Sequence, residues 1–236
     1  MAEKFKRPDG RKPEETRKIE AKVGIIPRAD GSASFSFGKS KAIAAVYGPR
    51  QLIPRHLENP EKGVLRCNYT MLSFSVSERM RPGPSRRSQE ISHEIAKALE
   101  PAVLLDQFPN TVIDVFIQII EADASTRCAA VNAASMALAN AGIPMKELIG
   151  SVSGGKLGKT IIVDLTKDEE DYKIKEEKAA TDVATAFLGR SGKLSLLHMD
   201  GDLNTKELKE ALELSKKTCL NIVEIQKKAL KKVKEK

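Results

Sequence analysis

The chain has 236 residues, 41% of them hydrophobic, with 40 Lys+Arg against 32 Asp+Glu for a formal net charge of +8. That length is enough to bury a core, and no run approaches the roughly 18 consecutive apolar residues of a membrane span, so the sequence reads as a soluble globular protein with no membrane partner. The opening MAEKFKRPDGRK lacks the apolar centre of a secretion signal, so a cytoplasmic location is expected. Cys67, Cys128 and Cys219 lie far apart without the paired spacing of a zinc site and are expected to be reduced, structural thiols.

Charge is unevenly spread. Residues 1–100 hold 20 Lys+Arg and 12 Asp+Glu, whereas the remainder holds 20 of each, so the whole excess lies in the first part. A polyanionic partner fits that distribution, and so does a lysine-rich surface ending in the basic tail KKALKKVKEK. Without a linker or a sharp change of composition, residues 1–236 read as one domain, with a basic N-terminal part to about residue 150 and a C-terminal part beyond it.

In chain order, Ser32 to Phe37 alternates so that Ala33, Phe35 and Phe37 share one face, the period of a half-buried strand, and Lys41 to Tyr47 is its hairpin partner. Val64 to Val76 is rich in strand formers until Arg-Pro-Gly-Pro at 81–84 interrupts regular structure. Ser85 is a fitting N-cap, and Ile91, Ile95, Ala98 and Leu99 recur at helical spacing up to the region of Pro101. Thr111 to Ile120 reads as a buried strand. The alanine-dominated run Thr126 to Ala141 stops at Gly142 and Pro144, as a tightly packed helix would. Strands are expected near 149–155, 159–165, 181–188 and 193–199. A final long helix starts near Thr205, with Leu208, Leu212, Cys219, Ile222 and Ala229 on its inner face. Strands alternating with helices make a layered α/β (α+β) domain.

Three segments carry residues suited to chemistry. In ERMRPGPSRR, Arg79, Arg81, Arg86 and Arg87 surround a rigid turn before a helix, and planar guanidinium forks are natural clamps for phosphate oxygens. The same loop would also serve as a salt-bridged subunit contact. In EADASTR, between a strand and the alanine-rich helix, Ser125, Thr126 and the free amides of the helix start form an anion site, with Arg127 adding a full charge. Taken alone, that segment is equally an ordinary N-cap. The acidic stretch Asp164 to Asp182 joins two strands. Its carboxylates suit magnesium binding or general-acid work, but most are expected to be solvent-exposed, and only Asp182 stands beside apolar residues.

RPDGRKPEETRKI, RPGPSRRSQEIS and EADASTRCAAVNAASMALANAGIPM, in that order, resemble the opening segment, the arginine-bearing helix start and the phosphate-loop helix of the ribonuclease PH family, in the form found in catalytic subunits of the archaeal exosome. The resemblance spans almost the whole chain. It implies duplicated βαβ-type halves like the second domain of ribosomal protein S5. It also implies an alternating hexameric ring with a non-catalytic paralogue, RNA-binding cap subunits, and 3′-to-5′ phosphorolysis of single-stranded RNA with inorganic phosphate as co-substrate and magnesium as the metal.

Carried over by motif, Arg87, Ser125, Thr126 and Arg127 bind phosphate, and Arg66, Arg79, Arg81 and Arg86 line the RNA path. Asp182 is the second catalytic acid and a metal ligand. The first catalytic acid is Asp171, also a metal ligand, or Glu176, because the spacing to Asp182 departs from the family pattern. Two further departures are Ser125 where the family usually has glycine, and Asn68 where an RNA-gripping arginine is common. A homohexameric ribonuclease PH that trims transfer-RNA ends, and a ring scaffold that binds RNA without catalysis, are the alternative readings.

Overall fold

The alternating segment near residue 32 does form a strand in the computed structural model, which describes residues 7–171, 173–174, 177–178 and 180–234. A five-stranded sheet is built from β1 (Ile19–Val23), β2 (Gly31–Phe37), β3 (Ser40–Gln51), β4 (Val64–Met71) and, after helix α1 (Arg86–Leu99), β5 (Thr111–Glu121). Its spatial order is β1-β2-β3-β5-β4. Only β4 and β5 run parallel, because α1 carries the chain back between them; the other neighbours are antiparallel. Ala33, Phe35 and Phe37 are fully buried as expected, but Ser32, Ser34 and Ser36 on the opposite face are closed off too. Ser34 and Ser36 stand in register between Lys22 and Glu20 of β1 and Ile43 and Lys41 of β3, and Ser32 opposite Ala45 of β3.

Helix α1 begins as its sequence predicts. The Ser85 hydroxyl accepts from the Ser88 amide, the Ser88 hydroxyl bonds back to complete a capping box, and Ile91, Ile95, Ala98 and Leu99 face the core.

Helix α2 (Thr126–Asn140) has no polar side over most of its length: every residue from Cys128 to Leu138 is buried. A helix buried all round must lie between two layers, and α2 packs on β2 and β3 of the first sheet and on β6 of the second. The alanines let the layers close in. At Gly31, a Cβ would sit 2.3 Å from the Ala141 amide nitrogen, so the start of β2 tolerates no side chain against the end of α2.

The second sheet comprises β6 (Ile149–Leu157), β7 (Thr160–Val163), β10 (Ala180–Leu188) and β11 (Leu194–Asp200) in the order β11-β10-β6-β7, all antiparallel. Between β7 and β10 the acidic segment forms the short helix α3 (Lys167–Glu170) and the two-stranded ribbon β8 (Lys173–Ile174) and β9 (Glu177–Lys178). Helix α4 (Thr205–Lys234) closes the fold along β6.

The inner line of α4 differs from the expected one. Ala211, Ser215, Thr218, Cys219, Ile222, Val223 and Gln226 are buried, while Leu208, Leu212 and Ala229 are only partly so. Of its polar members, Gln226 works on the start of β6, which has β10 on one side and no strand on the other. Asn132 exchanges hydrogen bonds with the Ser151 amide (2.9 Å) and carbonyl (2.8 Å), and Gln226 donates to Asn132 (3.0 Å) and to the Ile149 carbonyl (2.9 Å). Buried backbone groups that lack a neighbouring strand must be satisfied by side chains, which explains polar residues on an interior helix face.

Candidate active site

A cleft of about 420 Å³ opens where the two sheets meet the N-terminal ends of α1 and α2. Its lining includes Arg87, Ser125, Thr126, Arg127, Ser153, Lys167, Asp171, Asp182, His198 and Asp200. Three of the predicted segments, far apart in sequence, therefore meet at one place.

The anion-binding wall is the start of α2. Ala124 and Ser125 both adopt left-handed conformations (φ 56° and 53°), so the chain turns sharply out of β5 into the helix. Ser125 sits at the N-cap, yet its side chain makes no capping bond. Its hydroxyl instead donates backwards, to Asp164 Oδ1 at 3.3 Å and the Leu165 carbonyl at 3.2 Å. The first amides of α2 are left without a side-chain cap and aligned with the positive end of the helix dipole, a ready anion site. The Tyr69 hydroxyl donates to Thr126 Oγ1 at 3.1 Å, fixing that side chain from β4. Arg87 in the first turn of α1 and Arg127 in the first turn of α2 add full positive charges at the cleft.

The acidic wall is the second sheet. Asp182 on β10 accepts a short hydrogen bond from the Ser153 hydroxyl on β6. Burial pushes its carboxyl above the ordinary range, opposed by the Ser153 bond and by the charges of Arg127 and His198, with Asp200 adding to the rise. Asp182 and Asp200 are direct partners across β10 and β11. A half-buried carboxylate beside a second one, in the same cleft as the start of α2, suits either proton donation or a hard cation. Asp171 lies exposed at the rim, in an ion pair with Lys167 at 3.0 Å. Glu176 falls outside the described residues. Cys128 also lines the cleft, but burial pushes its thiol up to about 12, so it is no thiolate nucleophile.

The other predicted RNA contacts lie elsewhere. Arg79, Arg81 and Arg86 are exposed on the segment leading into α1, whose Val76 and Met80 fold over the cleft. Arg66 stands on the outer face of the first sheet, gripping Asp114 through Nε (2.6 Å) and Nη2 (3.0 Å).

Most acids of the stretch 164–182 are expected to be solvent-exposed, and two of them are not. Asp164 and Glu169 are fully buried. Arg17 holds Asp164 through Nη2 (2.6 Å), Nε (3.0 Å) and its own amide (2.6 Å), while Arg7 pairs with Glu169 at 2.7 Å and donates to the Asp164 and Val163 carbonyls. Arg11 reaches Asp164 at 3.3 Å. The arginines of the opening segment are thus the counter-charges of a buried network directly behind the phosphate-side turn. Charge density alone could not separate these two acids from their exposed neighbours; their arginine partners lie about 150 residues away. Asp200 and His198 were also missed, although the period of β11 puts both on the face of buried Leu196.

Two family models match: the 3′ exoribonuclease family, domain 1, over residues 15–144, and domain 2 of the same family over residues 147–218. The exosome complex component Rrp41 of Thermococcus gammatolerans is 47% identical over 229 residues, covering 97% of this chain and 90% of that protein. That of Methanopyrus kandleri is 46% identical over 223 residues, covering 94% and 91%. Among solved structures, rice Rrp46 superposes with a TM-score of 0.81 at 26% identity, covering 95% of this chain and all of that one. A chain of the Archaeoglobus fulgidus exosome with RNA bound to the active site gives 0.78 at 22% identity, covering 93% and 92%, a likeness of fold. The chain belongs to the ribonuclease PH family of 3′ exoribonucleases.

Proposed function

We propose that this chain is the catalytic subunit of an exosome ring and shortens single-stranded RNA from its 3′ end by phosphorolysis. The observation that carries this reading is the opposition, across one cleft, of an uncapped helix start flanked by Arg87 and Arg127 and a half-buried carboxylate, Asp182. Inorganic phosphate seats on the α2 amides with Thr126, Arg87 and Arg127. One of its oxygens attacks the phosphorus of the terminal phosphodiester. The bond from phosphorus to the 3′ oxygen breaks, that oxygen takes a proton from Asp182, and a nucleoside diphosphate leaves. Arginines and amides already aimed at the anion need little rearrangement as charge spreads over the reacting phosphoryl group.

Magnesium suits carboxylates of the kind on the acidic wall, although among the described residues three acidic or histidine ligands come together only at Glu90, Glu94 and His198. Asp182 in its ionised form, in which it is no proton donor, and Asp171 would hold it, with Asp200 across the strand pair from Asp182 and water filling the other positions. When bound it supplies charge neutralisation at the reacting phosphoryl group. Glu176 stays a candidate for the first acid alongside Asp171.

Arg79, Arg81 and Arg86 guide the RNA backbone towards the cleft, and Arg66 contacts it further out on the sheet face. The partners in this reading are a non-catalytic paralogue alternating in a hexameric ring, RNA-binding cap subunits, and a cytoplasmic setting. A hydrophobic core running through both family segments supports residues 1–236 working as one domain.

The test is release of nucleoside diphosphate from 3′-labelled single-stranded RNA by the assembled ring with magnesium. Release that requires phosphate supports the reading. RNA binding without release, by a ring whose chains are all folded, would leave a scaffold subunit, and activity of this chain as a hexamer on its own would favour the stand-alone ribonuclease PH.

A further inference from the structure

Glu94 takes no part in the cleft lining, yet it touches two residues that do. It lies seven positions after Arg87 in α1, two helical turns along the same face. Its Oε2 is 2.9 Å from Arg127 Nε, and its Oε1 is 2.9 Å from His198 Nδ1. Arg127 Nε and Glu94 Oε2 are both shut off from solvent, and neither makes an aligned hydrogen bond with any group among the described residues, so their 2.9 Å contact is an ion pair rather than an aligned hydrogen bond. Each is therefore the other's close counter-charge in a desolvated place, where a charged pair is felt strongly and the loss of one partner strands the other.

We infer that Glu94 is a positioning residue for the phosphate site: by holding Arg127 at Nε and His198 at Nδ1, it turns the Nη fork of Arg127 towards the anion seated on α2. An arginine with a carboxylate seated against its Nε side keeps its two terminal nitrogens for the anion, in the planar arrangement that matches two phosphate oxygens. Helix α1 thereby serves the same anion twice, with Arg87 directly and with Glu94 through Arg127. The loss of Glu94 frees Arg127 to swing, and Asp182, on the opposite wall, is the competing carboxylate. The inference rests on the phosphorolytic reading above and adds a residue to it.

The experiment is steady-state phosphorolysis by the assembled ring carrying Glu94→Gln or Glu94→Leu, with phosphate and RNA varied separately. In Glu94→Leu the KM for phosphate rises about tenfold, while the KM for RNA and kcat at saturating phosphate stay within about threefold; Glu94→Gln, which keeps the His198 bond and the shape, gives a smaller rise in the same parameter. Because Glu94 acts through Arg127, adding Glu94→Leu to an Arg127→Lys ring changes the phosphate KM by less than about twofold. An unchanged phosphate KM in both single variants overturns the inference. So does a Glu94 effect that persists in full in the Arg127→Lys ring, or a fall of kcat and both affinities in step with thermal stability, which marks a purely structural role. If the wild-type ring releases nucleoside monophosphate without needing phosphate, the functional reading itself fails. If the wild type needs phosphate and the Glu94 variants match it, only this inference does.

Discussion

Arg17 closes on Asp164 with two side-chain nitrogens and its own backbone amide, 147 residues apart in sequence, and the same carboxylate accepts the hydroxyl of Ser125. The segment before β1, the segment after β7 and the turn into α2 are one electrostatic unit. Its place behind the cleft gives the phosphate-side turn a rigid support, which two consecutive left-handed residues without glycine need.

Removing one partner of a buried ion pair strands the other. Asp164→Asn, which tolerates the left-handed conformation at that position (φ 56°), removes the fully buried counter-charge of Arg17 and leaves it only the part-exposed Asp123 at 3.2 Å. Denaturant unfolding is expected to show a loss of about 3 to 5 kcal/mol. A loss below about 1 kcal/mol, the level of an exposed pair, would mean that solvent reaches the network.

Asp182→Asn separates activity from stability. Diphosphate release should fall by a factor of about 100 or more if this group donates the proton. Stability moves the other way. Burial holds the Asp182 carboxyl above its ordinary range, so folding favours its protonated form. That contribution is present in full below the ordinary carboxylate range and is lost as pH rises through the elevated value. Thermal melts should therefore show the asparagine variant gaining on the wild type as pH rises, and the opposite trend would mean that the carboxylate is well solvated in the folded chain.

The Ser125 hydroxyl is taken up by Asp164 and Leu165. Ser125→Ala is expected to lose about 1 kcal/mol of stability and to leave the KM for phosphate within about twofold of wild type. A tenfold rise in that KM would instead make the hydroxyl a phosphate ligand.

Arg79, Arg81 and Arg86 are exposed, and their contribution to RNA binding should be mainly that of counterion release. Replacing all three by alanine should weaken single-stranded RNA binding and reduce the slope of log affinity against log salt by about 2. An unchanged slope would remove this segment from the RNA path.

Glu147 fastens the turn between β10 and β11, accepting from the Arg190 amide (2.6 Å), the Ser191 amide (2.8 Å) and the Ser191 hydroxyl (2.9 Å). Partial burial works against its charge, but the Ser191 and Arg190 bonds prevail and hold the carboxyl below its ordinary value of 4.5. A depressed value stabilises the fold above the ordinary one and stops doing so as pH falls through the depressed one. Glu147→Gln should cost about 1 kcal/mol at neutral pH. In unfolding curves the difference should shrink as the pH drops below the ordinary value, and a constant difference would exclude the charge as its source.

Much of the molecule is written locally. Ser85 and Ser88 cap α1, the alanines of 126–140 announce a helix pressed between layers, and the order of the three motif segments was enough to identify the family. These are short-range properties, in which the residues that decide the outcome are neighbours along the chain. The tertiary structure alone decided which charges are buried. Asp164 and Glu169 look like their exposed neighbours Asp168 and Asp171 until Arg17 and Arg7 arrive from the far end of the chain. The direction of the Ser125 hydroxyl, the pairing of Arg66 with Asp114 on the sheet face, and the contacts of Glu94 with Arg127 and His198 were equally invisible beforehand. In each case the outcome rests on a partner that only strand order and helix packing bring within reach, because the strength of an electrostatic contact depends on distance and burial, and sequence spacing specifies neither.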